Sequence, residues 1–365
     1  MQQKSDAVFP LPQINNTSLK LQFIQKIGEG ALGEVWEVEQ NEQVQAIKFL
    51  KYTEAASIDK HRLARLQNEI YILEQLRLID HIPHIYGYDL KADPPYYLME
   101  LIKGDSWRHL IHSGKGQDLS LSQRLGMLIE IATVLRTLHI NGILHRDVKP
   151  DNIRGIEEPY LLDFSIAVDL RIPPTETNLV GTALYTSPYQ ETLSPTIDTF
   201  SLGIVAYELL FGRHPFYELE QLDKHSIDKA SDLISRIHQN EWALPSQLAS
   251  HDTAVSLINS DLHRLDIIFK VIFGPPVTRF ADPVQFIEEL KDSFIESNIQ
   301  LNYKRGHVSA TNEQLSDSLH YTPLEVERDF LQTQHEYKKV SKKFIVASIF
   351  IIFSLVAIIL FILNQ

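Results

Sequence analysis

One stretch of 23 residues, 145–167, constrains this chain more than any other: "HRDVKPDNIRGIEEPYLLDFSIA". It places Asp147, Lys149 and Asn152 within six residues of one another. A second carboxylate, Asp163, follows and is directly succeeded by a phenylalanine. An ordinary charged surface loop would carry charges without this order, so the stretch indicates a site that does chemistry.

The four side chains match the needs of phosphoryl transfer. Asp147 can orient an attacking hydroxyl and accept its proton, and Lys149 can neutralise the transferred phosphoryl group. Asn152 offers an amide oxygen and Asp163 a carboxylate, which are ligands that Mg²⁺ accepts. Phosphoryl transfer depends on positioning and on charge neutralisation more than on covalent chemistry, so this set is sufficient.

A glycine-rich segment, "GEGALGEV" at residues 28–35, fits the pattern G-x-G-x-x-G-x-V. In dinucleotide-binding folds a similar pattern follows a strand and opens a helix. Here residues typical of strands lie on both sides, which predicts a hairpin that covers phosphate groups. Glycines allow the backbone N–H groups to approach a phosphate without interference from a Cβ atom.

Lys48 is predicted to lie in a buried strand, because its neighbours Ala46, Ile47 and Phe49 are apolar. Taken singly, a strand lysine is more often a solvated edge residue. A buried ammonium group needs a partner, and the next helix offers two carboxylates. Glu69 is favoured because it lies one turn before the apolar Leu73, and Glu74 is the alternative.

The order of elements predicts an α+β fold. Residues 19–51 alternate like strands, and residues 58–78 carry Leu63, Leu66, Ile70 and Leu73 at helical spacing. Residues 95–102 read as another strand. Two long helices follow; the first ends near Asn141-Gly142, and the second, "IDTFSLGIVAYELLFG", is apolar enough to be central. The outline is a small β-rich lobe with one main helix and a larger helical lobe.

With these motifs in this order, the sequence resembles the eukaryotic-like (Hanks-type) serine/threonine protein kinases from about residue 19 to about residue 293. The resemblance implies a bilobal kinase fold that transfers the γ-phosphate of ATP to serine or threonine hydroxyls of proteins, including itself. The implied catalytic residues are Asp147 as the base, Lys149, Lys48 and Glu69. The implied nucleotide-binding residues are Gly28, Glu29, Gly30, Ala31, Gly33, Val35, Ala46, Lys48, Glu100 and Ile102. Asn152 and Asp163 would bind Mg²⁺, with Mn²⁺ as the alternative ion.

The resemblance assigns further roles to single positions. Met99 would be the gatekeeper of a hinge, Glu100 to Ile102, that binds adenine, and Asp105 or Ser106 would lie near the ribose. Lys149 and Thr182 mark specificity for serine and threonine over tyrosine. Asp198 would hold the backbone of the catalytic loop, and Arg146 makes Thr175 and Thr177 candidate sites of activating phosphorylation.

Two positions depart from the family pattern. Ser165 replaces the glycine that follows Asp163-Phe164, which is expected to restrict switching of that segment without removing a metal ligand. Tyr189 replaces a glutamate that normally pairs with an arginine, here Arg279. We expect Tyr189 either to stack on this guanidinium or to accept a hydrogen bond from it.

Two alternative functions follow from these departures and from the fold class. The first is a membrane-anchored pseudokinase that acts as a scaffold or as a nucleotide-gated binding module. It is disfavoured because no catalytic residue is lost. The second is a small-molecule kinase, which ranks last because such relatives generally lack the lysine at position 149 and the segment "GTALYTSP".

Composition excludes several classes of site. The chain has 365 residues and a net charge of −13, which argues against a nucleic-acid partner, because such proteins present basic surfaces. It has no cysteine, which excludes disulfides, thiolate metal sites and thiol nucleophiles.

Residues 344–363, "FIVASIFIIFSLVAIILFIL", are apolar except for two serines. A helix of this length spans about 30 Å, the thickness of the hydrocarbon core of a bilayer. Four lysines precede it, which predicts that the preceding chain is cytoplasmic. The expected organisation is a flexible leader (1–18), the kinase domain (19–293), a polar linker and juxtamembrane helix (294–343), a transmembrane helix (344–363) and a short non-cytoplasmic tail (364–365).

This organisation makes the lipid bilayer an expected partner, through a single-pass C-terminal anchor. A bacterial inner membrane is the preferred setting, and an organelle membrane is the alternative. Confinement to a membrane raises the local concentration of copies, so self-association and autophosphorylation in trans are expected.

Overall fold

The N-terminal part of the chain forms one antiparallel sheet of five strands. The computed structural model describes residues 21–30, 32–51, 60–172, 182–189, 193–216, 235–248 and 259–294. The strands are β1 (Gln22–Glu29), β2 (Gly33–Gln40), β3 (Gln43–Leu50), β4 (Ile85–Asp89) and β5 (Tyr96–Met99). Their order across the sheet is β1-β2-β3-β5-β4, so β3 lies at the centre.

The central strand β3 presents different side chains to the two faces of the sheet, because successive residues of a strand point in opposite directions. Ile47 and Phe49 belong to a small apolar cluster on one face. Leu50 belongs to the main core on the other face. Ala46 and Lys48 share the face of Leu50, so the alternation of β3 directs Lys48 toward the main core.

Helix α1 (Lys60–Gln75) packs on that face and confirms the helix predicted from the apolar spacing. Leu66, Ile70 and Leu73 are buried, as their shared face predicts. Glu69 lies on the same side and is 1% exposed. A buried carboxylate on the face of a helix that meets the sheet needs a cationic partner, and β3 supplies one.

The remainder of the described chain is mainly helical. Helix α3 begins with a capping box in which Ser120 and Gln123 satisfy each other's backbone N–H groups, and it ends before Gly142, which has a φ of 74°. All 16 residues of α4 are buried, which confirms the predicted central helix. The helices are α2 (Trp107–His112), α3 (Leu121–Ile140), α4 (Thr196–Phe211), α5 (Asn259–Ile272) and α6 (Pro283–Asp292), with a further helical stretch at 235–239.

Two short ladders frame the loops that carry the predicted chemistry. Strand β6 (Ile143–Leu144) pairs with β9 (Val168–Asp169), and β7 (Ile153–Arg154) pairs with β8 (Tyr160–Leu161). The loop 145–152 lies between β6 and β7, and the segment 162–167 lies between β8 and β9. The ladders therefore fix both ends of each loop. The observed α+β architecture, with a sheet-rich N-terminal region and a helical C-terminal region, fits the bilobal fold that the resemblance implies.

Candidate active site

Lys48 connects the sheet, helix α1 and the segment after β8. Its Nζ lies 2.8 Å from both carboxylate oxygens of Glu69 and 3.1 Å from Oδ1 of Asp163. The prediction that Glu69 rather than Glu74 is the partner of Lys48 is confirmed. The contact with Asp163 joins residues 115 positions apart and was not foreseen from the sequence.

The charges of Lys48 and Asp163 stabilise each other, whereas burial dominates at Glu69 and raises the pKa of its carboxyl group. Burial alone would lower the pKa of Lys48, but the carboxylates of Asp163 and Glu69 outweigh it and raise this pKa well above its ordinary value. Burial would raise the pKa of Asp163, but the Lys48 ammonium and the hydrogen bond from the backbone N–H of Ser165 hold it well below its usual range. Lys48 and Asp163 therefore both carry their charge at neutral pH.

Asp147 is surrounded by hydrogen-bond donors. Thr182 Oγ1 donates to Oδ1 of Asp147 at 2.7 Å, and Lys149 Nζ donates to Oδ2 at 2.7 Å. The amide nitrogen of Asn152 donates to the same Oδ2 at 2.9 Å and to the Asp147 carbonyl at 2.9 Å. The structure thus brings together three residues predicted from the loop, and adds Thr182 from 35 positions further along the chain.

The backbone of the catalytic loop is held by a single buried carboxylate. Oδ2 and Oδ1 of Asp198, on α4, accept the backbone N–H groups of His145 at 2.9 Å and Arg146 at 2.7 Å. His139 adds a third contact at 2.9 Å. Burial opposes ionisation of Asp198, but these hydrogen bonds outweigh it and lower its pKa. They also hold Arg146 at a φ of 66°, a conformation that is costly for a residue with a side chain. The predicted role of Asp198 agrees with this geometry.

Phe164 anchors the segment that carries Asp163. Its ring is 1% exposed and packs edge-on against the ring of His145, with 4.8 Å between the centroids. Burial lowers the pKa of His145, so this imidazole is neutral. Its Nε2 then donates to the Leu162 carbonyl, 3.1 Å away, and its Nδ1 accepts the N–H of Asp147 at 3.3 Å.

The glycine-rich segment is a hairpin, as predicted, with β1 and β2 on either side of its turn. Gly28 pairs with Val35, and Glu29 pairs with Glu34. A Cβ atom on Gly33 would lie 1.9 Å from the Phe49 carbonyl oxygen, so close packing of β2 on β3 requires glycine there. Gly30 has open space around its Cα, so packing does not explain its presence. Ala31 lies outside the described residues.

The predicted hinge follows directly from β5. Ala46 pairs with Met99 across the sheet, which brings the central strand beside the gatekeeper position. The N–H of Glu100 donates to the His84 carbonyl at 2.8 Å, so the carbonyl is the backbone group that Glu100 can offer to a ligand. Ile102 is half-buried at the C-terminal side of this connection, next to the loop that leads to α2.

Sequence reasoning missed a charged network beside the catalytic loop. Arg108 of α2 contacts Asp151 at 3.0 Å and the buried Glu208 of α4 at 3.2 Å. The hydroxyl of Tyr185 donates to Glu208 at 2.7 Å and also bonds Arg108. The partners of Arg108 lie 43 to 100 positions away, so no local pattern could have revealed them. The network joins the catalytic loop to α2 and α4.

At Tyr189, the structure distinguishes between the two arrangements expected from the sequence. Its ring lies 5.4 Å from the Arg279 guanidinium, so it stacks, and its hydroxyl accepts a hydrogen bond from Asn240 at 3.3 Å. Arg279 also stacks on Phe200 at 4.6 Å and donates to Ser187 at 2.8 Å. The guanidinium is therefore well supported, although the family glutamate is replaced.

Several predictions lie outside the described residues: the candidate phosphorylation sites Thr175 and Thr177, the linker and the apolar run 344–363. Within the described ranges, no helix is both long enough and apolar enough to span a membrane. The predicted anchor thus stays a prediction.

Comparison with known proteins identifies the architecture. The profile of the protein kinase domain family matches residues 21–267, more than half of the chain. The chain belongs to the protein kinase family. This agrees with the Hanks-type resemblance recognised in the motifs.

Three relatives of this kinase carry names that state a specificity. It is 32% identical over 222 residues to a protein named serine/threonine-protein kinases drp72 from Corynebacterium efficiens, covering 56% of this chain and 41% of the relative. It is 33% identical over 207 residues to serine/threonine-protein kinase PknA of Mycobacterium tuberculosis, covering 52% and 46%. It is 34% identical over 155 residues to serine/threonine-protein kinase Pkn1 of Myxococcus xanthus, covering 39% and 22%. The alignments span less than half the length of these relatives.

The donor set of this kinase fits ATP with a divalent cation. The amide nitrogen of Asn152 is committed to Asp147, so its oxygen is the atom that can bind a cation. Asp163 adds a carboxylate, and hard oxygen ligands of this kind suit Mg²⁺. Lys48 supplies a fixed positive charge beside them, suited to a phosphate group.

Proposed function

We propose that this kinase is active and transfers the γ-phosphate of ATP to serine and threonine hydroxyls of proteins. The observation that carries the proposal is the arrangement around Asp147, which accepts hydrogen bonds from Thr182, Lys149 and Asn152. Three donors fix both carboxylate oxygens, so Asp147 is preorganised to orient an acceptor hydroxyl and to take its proton. None of the residues needed for this chemistry is substituted.

Each residue of the site has a distinct part in this proposal. Lys149 Nζ lies 2.7 Å from both Asp147 and Thr182, where it can neutralise charge that develops on the transferred group. Lys48, held by Glu69, neutralises phosphate charge from the other side of the site. Mg²⁺ or Mn²⁺, bound by Asn152 and Asp163, supplies further charge neutralisation.

Specificity for serine and threonine is supported by two observations. The contact between Lys149 and Thr182 links the two positions that mark this specificity in the family resemblance. The three relatives described above are all named serine/threonine-protein kinases.

The test is phosphate transfer by the full-length protein, purified in detergent, with labelled ATP, Mg²⁺ and a generic basic protein. Asp147→Asn should lower the rate about 10²- to 10⁴-fold, the usual contribution of a positioned base. Asp292→Asn is the matched control, because it neutralises a carboxylate that is 62% exposed at the end of α6. The control should retain most of the activity.

Nucleotide binding without phosphate transfer would contradict the proposal that this kinase is active. If neither the unmodified protein nor the control variant transfers phosphate, yet both bind Mg²⁺–ATP, the active-kinase proposal is wrong. The chain would then act as a nucleotide-gated scaffold.

We also propose that residues 344–363 tether the kinase to the cytoplasmic face of a membrane, with a bacterial inner membrane as the preferred setting. The apolar length and the preceding lysines support this. Membrane fractions should retain the full chain after an alkaline carbonate wash, and removal of residues 344–365 should release it. The truncation should also lower autophosphorylation at equal protein concentration, because tethered copies meet more often. Equal autophosphorylation would contradict the proposed encounter between copies.

A further inference from the structure

The face of α1 that meets the sheet carries Arg62 as well as Glu69. Arg62 precedes Glu69 by seven residues, which is nearly two helical turns, so the two side chains lie on the same face of the helix. Leu66, between them, is buried in the main core. The half-buried Arg62 therefore reaches the sheet at the N-terminal end of the face from which Glu69 bonds Lys48.

Arg62 bridges two backbone carbonyls that belong to neighbouring strands. Its Nη1 donates to the carbonyl of Lys51, which follows β3, at 3.1 Å, and its Nη2 donates to the carbonyl of Leu32, which directly precedes β2. The β2–β3 ladder ends with the pair Gly33 and Leu50, and the next N–H, from Lys51, lies 3.5 Å from the Leu32 carbonyl. The guanidinium therefore adds a charged donor at the point where the pairing of the two strands weakens.

Leu32 belongs to the turn of the glycine-rich hairpin, whose glycines make it costly to order. Within this turn the Gly30 N–H donates to the Gly33 carbonyl at 2.9 Å, and a Cβ atom on Gly30 would meet no atom within 4 Å. The Leu32 side chain is 6% exposed and lies in the same apolar core as Leu66 of α1. Arg62 bonds the carbonyl of the same leucine, so α1 fastens this side of the turn through both the side chain and the backbone of Leu32.

A guanidinium group suits this task better than an ammonium group. Its planar fork presents N–H donors on separate nitrogens at fixed positions, so one side chain can bond two carbonyls at once. A lysine at position 62 would keep the positive charge but would offer one nitrogen in place of two. The charge of Arg62 and its bridging geometry can therefore be tested separately.

We propose that Arg62 is a positioning residue that fastens the turn of the glycine-rich hairpin to α1 and so prepares the turn to cover the nucleotide phosphates. Because Glu69 lies on the same helix and bonds Lys48, one rigid element then sets the place of both phosphate contacts. Without Arg62, the nucleotide has to order the turn when it binds, and the cost of that ordering weakens its affinity. The inference rests on the proposed function, because it takes the hairpin and Lys48 as contacts of the phosphates.

The test measures, by calorimetry in Mg²⁺, how the full-length protein in detergent binds a non-hydrolysable ATP analogue and adenosine. Arg62→Met removes the bridge and should weaken binding of the analogue about fivefold, the size expected for hydrogen bonds from a partly exposed charged group. Adenosine lacks phosphates, so its affinity should stay within about twofold. Arg62→Lys keeps the charge without the fork and should lie between Arg62→Met and the unmodified protein. Arg65→Met is the matched control, because Arg65 lies on the same helix and makes no hydrogen bond or ion pair with the described residues, and it should match the unmodified protein.

Steady-state kinetics provide the second readout. In Arg62→Met the KM for ATP should rise about fivefold while kcat changes less than about twofold, because the variant binds the phosphates less well and keeps the groups that react. A general disturbance of α1 would instead lower kcat, because Lys48 would lose its partner Glu69, and this result would contradict a role confined to the hairpin. Thermal unfolding of each variant verifies that the proteins are folded.

Three binding results would overturn the positioning role. They are unchanged affinity for the analogue in Arg62→Met, equal weakening for the analogue and adenosine, and full affinity in Arg62→Lys, which would mean that the charge alone is needed. Failure of the proposed function is distinguishable from these. If the unmodified protein transfers no phosphate but the expected binding pattern is observed, the active-kinase proposal fails while the positioning role of Arg62 stands.

Discussion

Lys48 and Arg279 are both buried cations, 8% and 6% exposed, yet the chain surrounds them with different chemistry. Lys48 meets two carboxylates, those of Glu69 and Asp163. The contacts described for Arg279 are with the hydroxyl of Ser187, the carbonyl of Gly274 and the ring faces of Tyr189 and Phe200.

The difference follows from the two cations themselves. An ammonium group concentrates its charge and is strongly hydrated, so burial requires an opposite charge. A guanidinium group spreads its charge over a plane, is more weakly hydrated, and stacks on aromatic faces. The Arg279 region can therefore accept tyrosine in place of glutamate, whereas the Lys48 region depends on its carboxylates. Four predictions test this comparison.

The largest effect should come from Lys48→Met. The variant removes the charge that holds Asp163 and faces phosphate, so phosphate transfer should fall about 10²- to 10³-fold. Lys291→Met is the control, because Lys291 lies on the exposed side of α6, and it should leave the rate unchanged. A rate within threefold of the unmodified protein would mean that Lys48 is not part of the reacting centre.

Arg279→Met should reduce stability more than activity. It leaves the Gly274 carbonyl and the Ser187 hydroxyl without their donor, which should lower the free energy of unfolding by about 2–4 kcal/mol. Arg136→Met, which removes an exposed ion pair with Asp282, should cost less than about 1 kcal/mol. Chemical denaturation measures both, and equal losses would contradict the view that Arg279 is a structural centre.

His214 is a further buried side chain of the helical part of the chain, and it makes the stability of the protein sensitive to acid. Its Nε2 donates to the Leu184 carbonyl, 2.9 Å away, and burial lowers its pKa to about 3. The unfolded chain, with a histidine pKa of about 6.5, therefore binds more protons between these values, and stability falls as the pH drops below about 6.5. This one group should remove about 2 kcal/mol between pH 7 and pH 5.

Denaturation curves at both pH values test this contribution. The loss of stability between pH 7 and pH 5 should be smaller in His214→Gln by about that amount. An identical loss in both proteins would show that His214 is not responsible.

The smallest effect concerns the substituted position itself. Tyr189→Leu removes the ring beside Arg279 and should lower the free energy of unfolding by about 0.5–2 kcal/mol. Tyr189→Phe keeps the ring and should recover most of that loss. If both variants lose the same amount, the hydrogen bond with Asn240 rather than stacking supports this region.

Local pattern was enough to predict the pairing of Lys48 with Glu69. Strand alternation directs Lys48 toward the main core, and the helical phase of Glu69 matches that of Leu73. The catalytic loop was also predictable in content, because Asp147, Lys149 and Asn152 are close in sequence.

Contacts between distant segments were not predictable from the sequence. The bond from Thr182 to Asp147 and the network around Arg108 join residues tens of positions apart, which only the folded chain brings together. At Tyr189, the sequence left two arrangements open, because the positions of Asn240 and Phe200 decide between them. The sequence likewise gives no signal for the left-handed backbone of Asp163, which has a φ of 62°.

The hydrogen bonds from the backbone of His145 and Arg146 to Asp198 determine which parts of such a protein can change in sequence. Asp198 lies in α4, whose residues are all buried, so the geometry of the catalytic loop is set from the interior of the larger lobe. Surface positions around the loop take no part in these hydrogen bonds. They can change to recognise a different protein without altering how the phosphate acceptor is oriented.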